Sequence, residues 1–379
     1  MPAFFAANAC DTEDHYLCQT MLSKILLCSC ILMQSVSLPA QKKVNPVAII
    51  FDSDMGPDYD DVGAIAMLHA FADSGYAKIL ATVASTKYEG VAAIFNVFNT
   101  YFKRPGLPIG VPKGKGLELK DVQHWTDTLL LKYPHSIMRN DEVPDATEVY
   151  RKVLASQPDK SVTIVTVGFL TNLSALLQSP PDKYSKLTGK DLIKKKVKQL
   201  VCMAGRFPAG SEFNVNRDAA ASQFVFNNWE TPVLLSGFEI GQKIKAGLPL
   251  IHNASIKNSP VKEVFRICIP LSQEDSTGRM SWDETAVLVA VKGYKPWYSV
   301  EKGKMIVADN GIGIADQYKD KIFQKFFRVP HGDTHDAKGY GLGLSYVAGV
   351  VEKHHGAITV ESQLGAGASF IITLPKNQV

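Results

Sequence analysis

The chain is short of cysteine, of net charge and of long apolar runs, and each shortage removes a class of protein. Four of its six cysteines (Cys10, Cys18, Cys28 and Cys30) fall before residue 40, leaving Cys202 and Cys268. Two isolated thiols indicate neither a disulfide framework nor a zinc site. A net charge of +4 over 379 residues is too small to imply a nucleic-acid partner. The lysines within residues 190–198 read as the solvated face of a helix. An early apolar run, residues 25–33, is nine residues long, where a membrane-spanning helix needs about 20. No internal repeat, low-complexity tract or proline- or serine-rich linker divides the chain. The lone histidines His69, His124 and His135 read as structural or surface residues.

What is present near the start is a leader. The run 25–33 follows Lys24 and precedes Ser37-Leu38-Pro39-Ala40, the order of a secretory signal. It begins late, so Met21 is the expected start, with residues 1–20 an upstream extension and 21–40 the signal peptide. That implies a periplasmic or secreted protein with no stable membrane span. The competing reading of the run is a buried N-terminal helix.

From about residue 45 to 305, apolar strands alternate with helical patterns. Residues 47–51, 79–84, 162–167, 200–203 and 233–235 read as strands, and 62–72, 91–102, 146–155, 171–177 and 218–227 as helices. Such alternation predicts an α/β fold, a mostly parallel sheet with helices on both faces. Ligands in such sheets bind at the carboxyl ends of the strands. There the chain places its densest chemistry: Asp52, Asp54, Asp58, Asp60 and Asp61 lie within ten residues, directly after the first strand. Clustered acids raise one another's pKa unless a cation sits among them. Hard oxygen donors in this density suit Ca²⁺ or Mg²⁺. The bland alternative is a solvated loop whose Asp60-Asp61 caps the helix beginning at Val62.

Three further segments accompany the acids: the stretch from Val165 to Asn172, Cys202-Met203-Ala204-Gly205 with Glu212-Phe213-Asn214, and Ser281-Trp282-Asp283 opening a helix. Together they resemble the calcium-dependent nucleoside hydrolases (inosine/uridine-preferring ribohydrolases) over about residues 45–305. The resemblance implies a Ca²⁺ cofactor, a nucleoside or related riboside as small-molecule partner, and a possible homo-oligomer. It makes Asp54 the catalytic base, and Asp54, Asp61, Asp283, Asp52 and the Val167 carbonyl the metal ligands. Asp60, Glu212 and Asn214 are then expected at the ribose, with Met203, Thr86 and Trp282 lining the pocket. Cleaving an N-glycosidic bond requires a water nucleophile, anionic surroundings and a hold on the sugar hydroxyls. Three departures stand out: Pro57-Asp58 lengthens the acid loop, Thr86 replaces an asparagine, and Trp282 replaces the histidine that can protonate the leaving base. A sugar- or nucleoside-binding protein that has kept the metal and lost the acid is therefore a second reading. Asp52-x-Asp54 after a strand also resembles the nucleophile loop of haloacid-dehalogenase-type phosphatases, but that gives no role to Glu212, Asn214 or Asp283. An EF-hand is disfavoured by the ligand spacing.

After about residue 307 the character changes. Asp309-Asn310-Gly311-Ile312-Gly313, Phe326-Phe327-Arg328 and Gly339-Tyr340-Gly341-Leu342-Gly343 resemble the ATP-binding domain of sensor histidine kinases, over about 308–379. The resemblance implies nucleotide contacts at Asp309, Gly311, Gly313, Gly339, Gly341 and Gly343, on a partial α+β ATPase-type sandwich. The helix with the Mg²⁺-binding asparagine and the phosphoacceptor histidine have no counterpart, so a kinase fragment with residual ATP binding is a third reading, and kinase activity is not expected. The abrupt join reads as a chimeric gene product, either a natural fusion or an assembly artefact.

Overall fold

Strand β1, Val47–Ser53, is buried from Ile49 onward. A run apolar on every position rather than alternate ones belongs inside a sheet covered on both faces. The computed structural model describes residues 45–303, 305, 313–329, 342–353, 356–362 and 367–373. The proposed extension 1–20 and signal peptide 21–40 lie outside them. Among the described residues no helix is long and apolar enough to cross a membrane.

β1 pairs in parallel with β2 (Ala77–Ala84) on one side and β4 (Val162–Thr166) on the other. The two-residue β3 (Ile109–Gly110) extends the β2 side, while β5 (Val197–Met203) and β6 (Val233–Ser236) extend the β4 side. The order is β3-β2-β1-β4-β5-β6, all parallel. The expected strands are all present; β2 and β5 begin earlier than their apolar cores, and β3 is too short to register as a pattern.

Helices cover both faces. Ile49 and Phe51 point into a core shared with α1 (Asp60–Asp73), α2 (Val91–Tyr101) and α3 (Trp125–Lys132). Ile50 points into the opposite core with α4 (Ala146–Ser156), α5 (Thr171–Gln178) and α6 (Gly189–Lys196). Local chemistry sets these elements. Asp145 caps α4 by accepting from the Thr147 amide at 2.8 Å, and its buried Ala146, Val149, Tyr150, Val153 and Leu154 recur at helical spacing. The short α7 (Phe213–Arg217) leads into α8 (Ala219–Asn228), also on the second face. The single-turn α9 (Phe238–Gly241) and α10 (Leu248–His252) are followed by α11 (Pro260–Cys268), capped by Ser259 and packed on the first face. A two-residue ribbon, β7 (Lys245–Ala246) with β8 (Arg279–Met280), delivers the chain to α12 (Trp282–Lys292), which packs against α1 and β5.

Chain connections run outward in opposite directions from the adjacent β1 and β4. Their carboxyl ends therefore open a crevice between them, where ligands bind in such sheets.

The C-terminal residues form α13 (Gly343–Lys353) and an antiparallel pair, β9 (Ala357–Ser362) with β10 (Ala368–Thr373). Ile322, Val351 and Ala368 are buried among them, and the Phe323 ring meets the edge of Phe370 at 6.3 Å. The Ile314 amide donates to the Ser362 hydroxyl at 2.7 Å.

His69 on α1 has a measurable consequence. It is fully buried, stacked on Phe102 with centroids 4.6 Å apart, and its Nε2 faces Asn99 Oδ1 at 3.3 Å. Burial, and secondarily the Arg104 guanidinium, push its pKa down to about 4. The unfolded chain takes up this proton near pH 6.5 and the folded protein does not, so the stability is present above 6.5 and lost as pH falls toward 4. The span corresponds to roughly 3 kcal/mol. Urea unfolding of His69→Gln should vary less between pH 7 and 4.5 than that of the parent; an unchanged slope would contradict this assignment.

Candidate metal centre

The crevice floor is built by close backbone approach. A Cβ on Gly168 would sit 2.3 Å from Ser85 Oγ and 2.4 Å from the Asp54 amide nitrogen, so only glycine lets the ends of β1 and β4 meet. Met55 turns the chain through the left-handed region at φ 33°. Its amide donates to Ser53 Oγ at 3.1 Å and to Asp61 Oδ1 at 3.3 Å, and the Tyr88 hydroxyl donates to its carbonyl at 2.8 Å. This turn folds the acid loop onto the first turn of α1, where Asp60 and Asp61 meet the positive end of the helix.

Asp58, Asp60, Asp61 and Asp283 each offer an oxygen within 4.8 Å of the other three. The Asp283 amide donates to Asp60 Oδ2 at 3.3 Å across 223 positions of sequence. Asp61 accepts from Ser53 through one oxygen, and its buried Oδ2 has no partner. Burial first, then Asp61 and Asp58, hold the Asp54 pKa well above the usual carboxylate range. Asp283 is likewise raised well above it by burial and by Asp60, Asp61, Asp58 and Asp54. Burial and the Asp58 charge push Asp60 up to about 7, against the pull of Arg279. Asp58 is pushed up by burial too, but 41% of its side chain is exposed, so solvent screens much of that effect.

The expected ligands divide. Asp61 and Asp283 are in the group, and Asp54 interacts electrostatically with both. Asp52 lies apart: its Oδ2 accepts from the Tyr150 hydroxyl at 2.8 Å and from Asn172 Nδ2 at 2.9 Å, among residues of the opposite face. Burial raises it to about 7 although both hydrogen bonds pull it down. The Val167 carbonyl accepts from Asn214 Nδ2 at 2.9 Å. Asp58, read from sequence as extra loop length, joins the group instead.

Two more charged residues escaped sequence reasoning. Arg279 donates through Nη2 to Asp60 Oδ1 at 2.7 Å and pairs with Asp58 Oδ2 at 3.0 Å; its Nε also reaches Asp60. Its guanidinium carbon lies 4.7 Å from the Tyr59 ring centroid and 5.1 Å from that of Trp282. Glu284 is buried with both carboxylate oxygens unpartnered, and its Oε1 lies 2.0 Å from where a Cβ on Gly63 would stand. The acid after Asp283 and the arginine four residues before it were visible as letters, but nothing local marks them.

On the substrate side, Glu212 caps α7, accepting from the Asn214 amide at 2.8 Å, Val215 at 3.0 Å and Gly205 at 3.1 Å. A carboxylate has about four lone-pair sites, so it can still accept from a ligand. Asn214 Nδ2 also reaches the Met203 carbonyl at 3.3 Å, which places Met203 in this group. The Thr86 hydroxyl is committed to the backbone of Leu117 and Leu119. Trp282 donates from Nε1 to the Phe238 carbonyl at 2.8 Å, and its ring packs against the Phe238 ring at 4.9 Å and the Arg279 guanidinium at 5.1 Å. Neither of two surface crevices, of about 640 and 470 Å³, is lined by these acids. Of the expected nucleotide-binding residues, Asp309, Gly311, Gly339 and Gly341 lie outside the described residues; Gly313 takes φ 73° and Gly343 opens α13.

The first fold is that of the nucleoside hydrolases. An inosine-guanosine nucleoside hydrolase superposes with a TM-score of 0.51 at 18% identity, covering 66% of this chain and 80% of that one. The type III effector XopQ, solved with adenosine diphosphate ribose, gives 0.51 at 16% identity over 65% of this chain and 82% of its own. The C-terminal sequence matches the family described as histidine kinase-, DNA gyrase B- and HSP90-like ATPases over residues 279–378. It is 49% identical over 77 residues to sensor protein RprX of Bacteroides fragilis, 20% of this chain and 15% of that protein. The likeness to sensor protein SrrB of Staphylococcus aureus is 40% over 72 residues, 19% of this chain and 12% of that one. The chain thus spans a small fraction of these sensor proteins.

Filling the contact at Gly168 tests the floor. Gly168→Ala should lower the unfolding free energy by about 1–3 kcal/mol in urea titrations. A variant as stable as the parent would mean the strand ends can part without cost.

Proposed function

We propose that the first domain is a hydrolase of N-ribosidic bonds that uses a divalent cation, with Ca²⁺ the best-matched ion. The observation that carries this reading is the convergence of Asp58, Asp60, Asp61 and Asp283 within 4.8 Å, at the crevice of a nucleoside hydrolase-type sheet. The donor set fits a hard cation: carboxylate oxygens alone, the buried Asp61 Oδ2 without a partner, and acids raised first by burial and then by one another's charge. Asp61 and Asp283 would hold the ion, with Asp54 and Asp58 beside it. When bound, it would supply charge that orients a water and the sugar diol.

The chain's own residues supply the rest. Asp54, 4% exposed beneath the acids, accepts a proton from the attacking water at a carboxylate oxygen. Glu212 and Asn214 stand at the rim of β5 and accept from sugar hydroxyls, Glu212 at its carboxylate and Asn214 at Oδ1, since Asn214 Nδ2 is already committed to the Val167 and Met203 carbonyls. Asp60 orients the Asp283 backbone and Arg279. No titratable group stands at Trp282 to protonate the leaving base, which favours substrates whose base departs without one. The same observation favours the second reading, a binder of nucleosides that does not turn them over.

Base release from a nucleoside panel, with and without chelator, tests the proposal. Asp54→Ala should lower kcat by at least about 100-fold; turnover within about threefold of the parent would remove Asp54 as the base. Calorimetric binding of ribosides without release would favour the binder.

Cation linkage gives a second test. The acids' pKa values are raised in the fold, so without a cation their contribution is present below pH 4 and lost as pH climbs toward 7. A bound cation needs them ionised. Adding Ca²⁺ at about 100 times its dissociation constant should therefore stabilise the protein by about 2.7 kcal/mol at pH 7 and by much less at pH 5. An increment that shrinks with rising pH would contradict this.

A further inference from the structure

We propose that Arg279 is a built-in counter-cation of the acid cluster, which occupies Asp58 and Asp60 and thereby weakens and restricts divalent-ion binding. The inference rests on the metal reading above and concerns a residue outside that reading's ligand set.

Three observations carry it. First, the guanidinium engages two acids of the group together, Asp60 at 2.7 Å and Asp58 at 3.0 Å, so half of the four-acid cluster already faces a positive charge. Second, it is not free to swing away. It lies between the rings of Tyr59 and Trp282, and the Tyr59 hydroxyl donates to Asp275 Oδ2 at 2.7 Å, the carboxylate 3.7 Å from Arg279 Nη1. Third, its side chain is only 12% exposed, so its field on a neighbouring ion is poorly screened. A planar fork suits this post, since it can serve both carboxylates at once. Its position is set by the β7–β8 ribbon, which holds Arg279 on the strand that leads into the helix bearing Asp283. The remaining pair, Asp61 and Asp283, with Asp54 nearby, is left to a single ion.

Ligand charge count tunes divalent affinity over orders of magnitude. Removing Arg279 removes a repelling charge and frees two carboxylates. The test is calorimetric titration with Ca²⁺ alone, at pH 7, of the full-length parent, Arg279→Gln and Arg279→Lys. Arg279→Gln should bind at least about tenfold tighter than the parent, or take up a second ion. Arg279→Lys, which keeps the charge and loses the fork, should stay within about threefold. If Arg279→Gln is too unstable without Ca²⁺ to titrate, its Ca²⁺-induced rise in Tm should exceed that of Arg279→Lys. Equal or weaker affinity of Arg279→Gln, or a smaller Tm rise, would overturn the counter-cation role while leaving the metal centre standing. A parent that binds no divalent ion would overturn the metal reading, and this inference with it.

Discussion

Everything at the working end of the first fold depends on keeping carboxylates together where there is almost no water. Asp54, Asp60, Asp61 and Asp283 are each 4% exposed or less. Left alone they would hold protons or force the loop open. The fold answers with positive charge at short range: the amino end of α1 under Asp60 and Asp61, the Asp283 amide on Asp60, and the Arg279 fork. The packing of α1 against α12 serves the same end. Gly63 has no side chain, so Glu284 can lie against α1, and Asp283 comes within reach of acids 223 positions away.

Much of this could be read from the letters. The apolar runs located β1, β2, β4, β5 and β6, and the acid-rich turn after β1 marked the end of the sheet where the acids gather. Asp283 was legible only through the resemblance, because a lone aspartate at the start of a helix carries no local sign of what it faces. Arg279 and Glu284 were illegible for the same reason: their meaning comes from packing between distant elements. Asp52 was grouped with Asp54 through the resemblance, which made both of them ligands. The strand ends at Ser53, however, and the Met55 turn carries Asp54 to the cluster while Asp52 stays with Tyr150 and Asn172.

The C-terminal residues obey a different logic. Their two strands pair only with each other among the described residues, and α13 keeps Tyr346 at 74% exposure. A two-stranded ribbon with one helix is marginal by itself. Among the described residues the kinase-like sequence is thus present as one α-helix and one two-stranded ribbon.

Helix α12 is claimed by both halves of the chain. It carries Asp283 to the acids and packs on α1 and β5, yet the ATPase-family match already begins at Arg279. That overlap limits where a different tail could be joined without loss to the acid group. A splice upstream of Trp282 would leave all six parallel strands in place and still remove Asp283 from the acid group, because the sheet does not need the helix's first turn and the four-acid cluster does. Downstream of Lys292 the centre has nothing left to lose.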